Sequence, residues 1–533
     1  MSTVAEYLVD ELIKYGVTDA FGIPGGVILR FLYALDKRDG IEPHLAYHEQ
    51  TAAFAACGYA QASGNLGVTY ATRGPGICNA FTAIAEAYQE SIPVLFVTAH
   101  GTRREIEGVR FSANQEMDIV DAVKKITKYA ANIECIEETV PIIKKAIKTA
   151  LSGRRGPVLI DVSAGLWSEE VSDVDDVAEE EKTHTVDCDR IVEEINAAKR
   201  PVILIGDGLR YGVQKETLLR DAENIKLPII SSRGSLDLVS GSSYYFGYVG
   251  SHGIRYSNFI LSKADLIVVL GNRMAFPFTS ASFKPILEKR IIRIEIDEGE
   301  LRRNITGEVA CCANACDVLG NLGRIAEHRE WIYTCKKLKT ELLDEDCSDP
   351  VEKIVGFINS NQSAVYVCDV GNNEFWFSRA YERSGCADKV LMSKSFGTLG
   401  SAIGKSIGAY YGSKSNVVCV VGDQGLQYNL QELQYIIQHK LPIQILLINN
   451  GCSRMIADHE SGQYEELLHV NRDTGYDIPD FRAIAKAYGL EENIKEIRID
   501  ENITLTPSLP KGRECQDMEP SLDRDRYEAL NSL

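Results

Sequence analysis

The stretch VVGDQGLQYN (Val420–Asn429) places an aspartate directly after an apolar run, and ILLINNGC (Ile445–Cys452) ends a second such run with two asparagines. If both runs are parallel strands, Asp423 and Asn450 lie at their carboxyl ends, where open sheets bind ligands. A carboxylate, an amide oxygen and a backbone carbonyl would form part of a Mg²⁺ shell, and the turn's N–H groups suit a phosphate. An alternative is equally compatible with these residues: Asp423 caps a helix and the asparagines form a turn.

Similar apolar runs recur along the whole chain and are separated by helical patterns. Because these runs are continuous rather than alternating, they predict parallel strands that are buried on both faces, and therefore doubly wound α/β domains. The stretches are GVTYATRG, IPVLFVTA, GPVLIDV, RPVILIGDG, ADLIVVLGNR, IIRIEID, AVYVCDVG, VVCVVGD and IQILLINN.

A chain of 533 residues favours three domains. An acidic stretch at 169–182 and a charged stretch at 334–350 are the candidate linkers. They predict domains at 1–168, 185–335 and 350–505, followed by a polar tail at 506–533.

Composition and charge narrow the class of partner. The net charge of −19 argues against nucleic acid or an anionic membrane as the main partner. The 14 cysteines include no CxxC pair, so we predict reduced thiols in the cytoplasm rather than a zinc site. The sequence shows neither a signal peptide nor an apolar run of about 18 residues, so we expect no membrane span.

The GDxG turn, with the second asparagine 27 residues after the aspartate, resembles the diphosphate motif of thiamine-diphosphate enzymes. The resemblance implies that Asp423, Asn450 and the carbonyl of Cys452 hold Mg²⁺. It also implies cofactor contacts at Gly422, Gln424, Gly425 and Met455.

A second group of motifs near the N-terminus resembles the pyrimidine-binding domain of acetolactate synthase. The motifs are FGIPGG (21–26), HEQTAA (48–53) and TRGPG (72–76). The resemblance implies that Glu49 hydrogen-bonds the cofactor's pyrimidine and so helps to remove the proton from its reactive carbon, with backbone approach at Pro24, Gly25 and Gly26. For an isolated glutamate at a helix start, the alternative is a favourable charge at the helix dipole.

Two further motifs lie in the C-terminal third. SFGTLGSAIG (395–404) resembles a family loop in which the carbonyl of Gly397 and the N–H of Leu399 bond the pyrimidine, while the leucine side chain supports the bent cofactor. CDVGNNEFW (368–376) resembles a strand end that meets the diphosphate. The positions implied there are Gly371, Asn372 and Asn373.

The stretch GYVGSHGIRYSNFILSKADLIVVLGNRM (247–274), in the middle of the chain, resembles the FAD-binding domain of acetolactate synthase. The family's paired aspartates are replaced here by Ala275 and Phe276. The candidate FAD contacts are His252, Gly253, Gly271, Arg273 and Asp297.

The resemblance implies a carboligase that decarboxylates pyruvate, or a similar 2-keto acid, and transfers the two-carbon unit to a carbonyl acceptor. Gln115 is retained as a substrate contact, whereas Asn114, Ala164 and His459 replace the family's Phe, Lys and Trp. This more polar pocket favours a polar acceptor.

Two segments, GDQGLQYNLQELQ and CQDMEPSLDRDRYE, resemble a subgroup from surface-sugar pathways, so acetyl transfer to a keto-sugar is one alternative. A catalytically silent structural relative is another.

The two halves of the expected site lie in different domains. In relatives the pyrimidine domain of one subunit faces the diphosphate domain of another. The resemblance therefore implies a homodimer, or a dimer of dimers, with the active site between subunits.

Overall fold

The computed structural model describes residues 2–101, 114–172, 186–280, 283–303, 305, 308–323, 325–343, 347–361, 363–464 and 466–500. Most of the acidic linker and the whole predicted tail at 506–533 lie outside these residues.

The N-terminal domain is built on a six-stranded sheet whose registered strand pairs are all parallel. Its strand order is β3-β2-β4-β5-β7-β6, and β1 and β8 form a separate antiparallel pair. The strands are β1 (Ser2–Thr3), β2 (Asp19–Gly22), β3 (Glu42–Leu45), β4 (Gly67–Tyr70), β5 (Val94–His100), β6 (Tyr129–Ile133), β7 (Val158–Ser163) and β8 (Glu170–Val171). The helices are α1 (Val4–Lys14), α2 (Leu29–Lys37), α3 (Glu49–Ser63), α4 (Pro75–Cys78), α5 (Phe81–Glu90), α6 (Ile119–Val123) and α7 (Ile136–Leu151).

The middle domain contains a second six-stranded parallel sheet, in the order β11-β10-β9-β12-β13-β14. Its strands are β9 (Pro201–Ile205), β10 (Ile229–Ser232), β11 (Tyr245–Val249), β12 (Leu266–Leu270), β13 (Arg290–Glu295) and β14 (Glu308–Cys312). Its helices are α8 (Cys188–Ala197), α9 (Lys215–Ile225), α10 (Arg255–Lys263), α11 (Lys284–Leu287), α12 (Glu298–Leu301), α13 (Ala315–Asn321) and α14 (Arg329–Leu342).

The C-terminal domain has a five-stranded sheet in the order β16-β15-β17-β18-β19, and its registered pairs are again parallel. Its strands are β15 (Val365–Cys368), β16 (Val390–Met392), β17 (Val417–Gly422), β18 (Ile443–Asn449) and β19 (Ile494–Arg498). The helices from residue 349 onwards are α15 (Asp349–Ser360), α16 (Asn372–Ser384), α17 (Ala402–Ser413), α18 (Asp423–Gln427), α19 (Leu433–Gln438), α20 (Arg454–Ser461) and α21 (Phe481–Tyr488). Of these, α15 and residues 375–384 of α16 belong to the same compact unit as the middle sheet.

The predicted fold class, three α/β domains with parallel sheets, is confirmed. Each of the nine quoted stretches contains one strand. The first and third sheets belong to one compact unit and the second sheet to another. The predicted domain boundaries stay predictions. Among the described residues, no helix is long and apolar enough to cross a membrane.

A stretch whose sequence is typical of a single helix is interrupted in the structure. The stretch LQYNLQELQYIIQ (426–438) ends α18 at Gln427, continues as a 3₁₀ turn at Leu430–Glu432, and resumes as α19. Asn429 has non-helical backbone angles, φ −137° and ψ 38°, and its side chain bonds groups distant in sequence. Asparagine readily makes such competing hydrogen bonds, which explains the break.

Helices α3 and α17 pack closely and join the first and third sheets in a common core. A Cβ on Gly58 would lie 2.1 Å from the Lys405 carbonyl oxygen, and one on Gly408 would lie 1.8 Å from the Ala55 carbonyl oxygen. Only glycine allows this approach. A fully buried ion pair joins Lys405 of α17 to Glu86 of α5. The start of α3, where Glu49 lies, is therefore held on a rigid base.

Candidate active site

Asp423 is the first residue of α18 and directly follows β17, as the sequence predicts. Its side chain is buried, and its Oδ1 accepts hydrogen bonds from the N–H of Gln424 (2.7 Å) and the hydroxyl of Tyr476 (3.3 Å). Oδ2 is buried without a hydrogen-bond partner among the described residues. Burial raises the pKa of this carboxyl, and the backbone N–H groups of Gln424, Gly451 and Cys452 and the Tyr476 hydroxyl only partly oppose the effect. A desolvated carboxylate oxygen without a partner is what a cation site requires.

The two asparagines after β18 have different surroundings. Asn449 is buried, donates to Glu496 (2.8 Å) and accepts from the N–H of Gly451 (3.0 Å), so its role is structural. Asn450 is half-buried, and among the described residues its Oδ1 accepts one long bond, from the N–H of Cys452 (3.3 Å). The Cys452 carbonyl accepts from the N–H of Arg454 (2.7 Å), and a carbonyl oxygen has two lone pairs. The donor set therefore fits Mg²⁺ in its chemistry.

The GDQG turn packs on a buried aspartate that the sequence analysis did not select. A Cβ on Gly425 would lie 2.1 Å from Oδ2 of Asp369, so the turn requires glycine there. The Asp369 carboxylate also accepts the N–H groups of Gly400 (2.8 Å) and Ala402 (3.3 Å). Burial raises its pKa to about 7. Asp369 thus connects the diphosphate turn to the loop that carries Gly397 and Leu399.

The remaining diphosphate candidates lie around the same strand ends. Asn373 is buried, donates to the Asp369 carbonyl (2.8 Å), and lies beside both Gly371 and Gly422. Asn372 donates to Asp458 on α20 (3.3 Å), the helix that carries the exposed Met455. The Gln424 amide oxygen accepts from the Ser453 hydroxyl (3.3 Å) at the start of that helix. The structure therefore brings this set together.

The loop before α17 is held by a second unpredicted carboxylate. Oε1 of Glu90 accepts the N–H groups of Lys394 (3.0 Å) and Phe396 (2.8 Å). Gly397 is exposed, has a φ of +68°, and donates its N–H to the Ser393 hydroxyl (2.9 Å). Leu399 is half-buried.

Glu49 opens α3, whose N-cap is His48, as the sequence predicts. Its carboxylate is half-buried, and Oε2 accepts a hydrogen bond from the Asn79 amide (2.9 Å). Oε1 lies 3.5 Å from the position of a Cβ on Gly76, which places the carboxylate over the TRGPG turn.

The TRGPG turn brings the other N-terminal candidates to Glu49. Gln115 has a φ of +58°, and a Cβ on Gly74 would lie 2.4 Å from its carbonyl oxygen. Gly25 packs against Thr72, while Pro24 and Gly26 are exposed. A Cβ on Gly26 would meet no atom within 4 Å, so open space adjoins this loop. Left-handed backbone at a non-glycine residue such as Gln115 is often found at functional sites.

In the middle domain, the FAD candidates follow three strands of one sheet, β11, β12 and β13. The His252 ring stacks on Phe375, with ring centroids 4.3 Å apart. A Cβ on Gly253 would lie 2.6 Å from the N of Gly250, and Gly271 packs against Gly208. The Arg273 carbonyl accepts from Arg293 (3.2 Å), and Asp297 caps α12 through the N–H of Gly299 (2.8 Å). Apart from the stacking of His252 on Phe375 of α16, these contacts join residues of the middle sheet and the turns that follow its strands.

Comparison with known proteins gives a family for each domain. Residues 2–123 match the thiamine pyrophosphate enzyme N-terminal TPP binding domain, residues 188–322 the central domain, and residues 369–520 the C-terminal TPP binding domain. These three matches, together with the parallel sheets described above, define a thiamine-pyrophosphate-dependent enzyme.

Relatives that align with most of the chain narrow the class of enzyme further. The chain is 31% identical to the acetolactate synthase large subunit of Lactococcus lactis, covering 95% of this chain and 89% of that protein. It is 32% identical to the acetolactate synthase isozyme 1 large subunit of Escherichia coli K12, covering 92% and 88%. A probable acetolactate synthase large subunit of Methanocaldococcus jannaschii is 30% identical, with 91% and 86% covered. The chain belongs to the acetolactate synthase large-subunit family.

Proposed function

We propose that this enzyme is a Mg²⁺-dependent carboligase that decarboxylates pyruvate, or a similar 2-keto acid, and transfers the two-carbon unit to a carbonyl acceptor. The observation that carries the proposal is the buried Asp423 carboxylate at the carboxyl ends of β17 and β18, whose Oδ2 accepts no hydrogen bond within the part of the chain that the structure describes. When bound, thiamine pyrophosphate supplies the nucleophilic carbon and the electron sink. Asp423, Asn450 and the Cys452 carbonyl would hold the metal that neutralises its diphosphate.

The chain's own residues have distinct tasks. Glu49 would hold a proton at its carboxylate against the cofactor's pyrimidine, and the Asn79 amide orients that carboxylate. Gln115, packed on Gly74 of the same turn, is the proposed contact for the 2-keto acid. The Gly397 carbonyl and the Leu399 N–H would position the pyrimidine.

The direct test is product identification. The protein is incubated with pyruvate, thiamine pyrophosphate and Mg²⁺, with and without an added carbonyl acceptor, and products are identified by mass. The proposal expects CO₂ together with a product that joins two carbons of pyruvate to the acceptor. Release of acetaldehyde alone, or no consumption of any 2-keto acid, would contradict it.

A keto-sugar acceptor is the second candidate. His459 is exposed on α20, the helix that carries Met455, and Asn114 is exposed next to Gln115. Both would add polar groups beside the proposed cofactor contacts. A site with such groups favours a substrate that can pair with them. Parallel incubations with pyruvate and with a keto-sugar as acceptor separate the two candidates.

FAD binding is a further part of the proposal, supported by the position of the five candidates after parallel strands of one sheet. We expect the purified protein to be yellow, or to gain the visible absorbance of a flavin after incubation with FAD. Arg273→Ala should reduce flavin retention, whereas Arg329→Ala, an exposed arginine on α14, should not. Absence of flavin absorbance after reconstitution would show that the domain binds no FAD.

Assembly as a homodimer, or a dimer of dimers, belongs to the same proposal. Glu49 is only half-buried in one chain, although a proton-holding carboxylate needs a dry environment. Large apolar side chains are exposed on the site's own elements, which is typical of an interface. They are Tyr47, Met117, Phe396, Tyr428, Met455 and Ile456.

A cytoplasmic location remains part of the proposal, since all thirteen described cysteines are free thiols.

Complementation tests this assembly. Glu49→Gln and Asp423→Ala subunits are co-expressed with different tags, and the mixed dimer is isolated and confirmed by mass. If each site uses Glu49 from one chain and Asp423 from the other, one site carries both lesions and the other none. We therefore expect about half of wild-type activity. An inactive confirmed heterodimer, or an active monomer, would reject this arrangement.

A further inference from the structure

The interrupted segment between α18 and α19 reaches from the proposed metal site to the start of α3. Asn429 is 1% exposed and Glu432 is 0% exposed, so both polar side chains are fully withdrawn from water. Buried polar groups are costly unless they are bonded, so their partners show what the segment holds in place.

Asn429 bonds both predicted pyrimidine-contacting elements. Its Oδ1 accepts a hydrogen bond from the Thr51 hydroxyl (2.8 Å), in the first turn of α3 and two residues after Glu49. Its Nδ2 donates to the Gly400 carbonyl (2.6 Å), at the end of the loop that contains Gly397 and Leu399. One side chain thus ties the helix turn of Glu49 to that loop.

Glu432 holds the other side of Glu49. Both of its carboxylate oxygens accept the N–H of Tyr47, at 3.1 and 3.3 Å, and Tyr47 lies two residues before Glu49. The Tyr47 hydroxyl donates to Gln438 on α19 (2.9 Å). Burial raises the pKa of Glu432 to about 7. The chain around Glu49 is therefore fixed at Tyr47 and at Thr51 by residues from one short segment.

We propose that Asn429 and Glu432 are positioning residues that fix Glu49 by holding the chain on either side of it, at Tyr47 and at Thr51. They touch neither substrate nor cofactor in this role, and they act through Thr51, Tyr47 and Gly400. The inference rests on the proposed role of Glu49. The tie is made within one chain, and in the proposed dimer the Glu49 and the loop of one chain serve different sites, so the tie positions Glu49 itself rather than the two halves of one site.

The first measurement does not depend on activity. Hydrogen–deuterium exchange of the full-length, cofactor-free protein is compared between wild type, Thr51→Val and Asn429→Ala. We expect both variants to exchange faster in the peptide that spans residues 46–51, and Thr51→Ser, which keeps the hydroxyl, to restore wild-type exchange. Unchanged exchange at 46–51 in both variants would overturn the proposal, whether or not the protein turns over any substrate.

The second measurement is kinetic. Since a misplacement of about 1 Å can cost ~10²-fold, we expect kcat to fall by about 10- to 100-fold in Thr51→Val and in Asn429→Ala. The affinity for thiamine pyrophosphate should change little, and the double variant should be no worse than Asn429→Ala alone. Glu432→Gln, which keeps an acceptor for the Tyr47 N–H, should retain more activity than Glu432→Leu.

Tyr411→Phe is the matched structural control, because it removes a buried hydroxyl pair with Tyr435 (3.0 Å) from the same core. If kcat in the Asn429 and Thr51 variants falls no further than in this control, the role is structural and the proposal is rejected. An inactive wild type would reject the proposed function, while the exchange measurement would still decide whether the tie exists.

Discussion

Glu49→Gln should reduce kcat by about 10² to 10⁴-fold, the usual contribution of a positioned acid or base, while leaving cofactor binding nearly intact. The amide has the size of the carboxyl group and still offers an oxygen to the Asn79 amide, which donates to Oε2 at 2.9 Å. It cannot take up or release a proton. Steady-state kinetics with pyruvate, combined with calorimetric titration of thiamine pyrophosphate, separates the two effects.

Glu42→Gln is the matched control for this variant. Glu42 is an exposed residue on β3, the strand that precedes α3, and it belongs to none of the proposed sites. We expect it to keep wild-type kcat. Normal turnover in Glu49→Gln would remove Glu49 from the mechanism and favour its alternative role as a favourable charge at the start of α3.

The sequence could predict the parts of the site that depend on local order along the chain. An apolar run followed by a polar turn places Asp423 and Asn450 at neighbouring strand ends, because parallel strands direct their carboxyl ends to one edge. Glu49 is similarly the first residue of a helix that follows a strand. To predict these positions, one needs only the boundaries of the strands and helices, together with the family resemblance.

Residues that act across long sequence distances were not predictable in the same way. Glu90 binds amides about 300 residues further along the chain, and Glu432 binds the amide of Tyr47. Their carboxylates look like ordinary surface charges in the sequence, yet they are 5% and 0% exposed. The helical pattern at 426–438 concealed the break at Asn429, since the partners that stabilise the break belong to other elements. A buried carboxylate that satisfies backbone N–H groups leaves no periodic signal.

The surroundings of Asp423 bear on both binding and stability. Burial raises the pKa of its carboxyl, which means that folding disfavours the charged form. For such a group the stabilising contribution is present at low pH and is lost as pH rises through the raised pKa. Near neutral pH the charge at Asp423 is thus a cost to the cofactor-free protein. A bound cation would offset this cost.

Asp423→Ala should therefore abolish Mg²⁺-dependent binding of thiamine pyrophosphate without lowering the stability of the cofactor-free protein. Asp423→Asn is the sharper variant, since its amide oxygen still accepts from Gln424 and Tyr476 while the charge is removed. At ligand concentrations of about 100 times Kd, the wild type should gain about 2.7 kcal/mol on binding, and both variants should gain almost nothing. Thermal unfolding with and without Mg²⁺ and cofactor measures this gain, and calorimetry measures the affinity directly. Unchanged affinity in either variant would exclude Asp423 as a metal ligand, whereas a cofactor-free Asn variant much less stable than wild type would show that the carboxylate serves the fold.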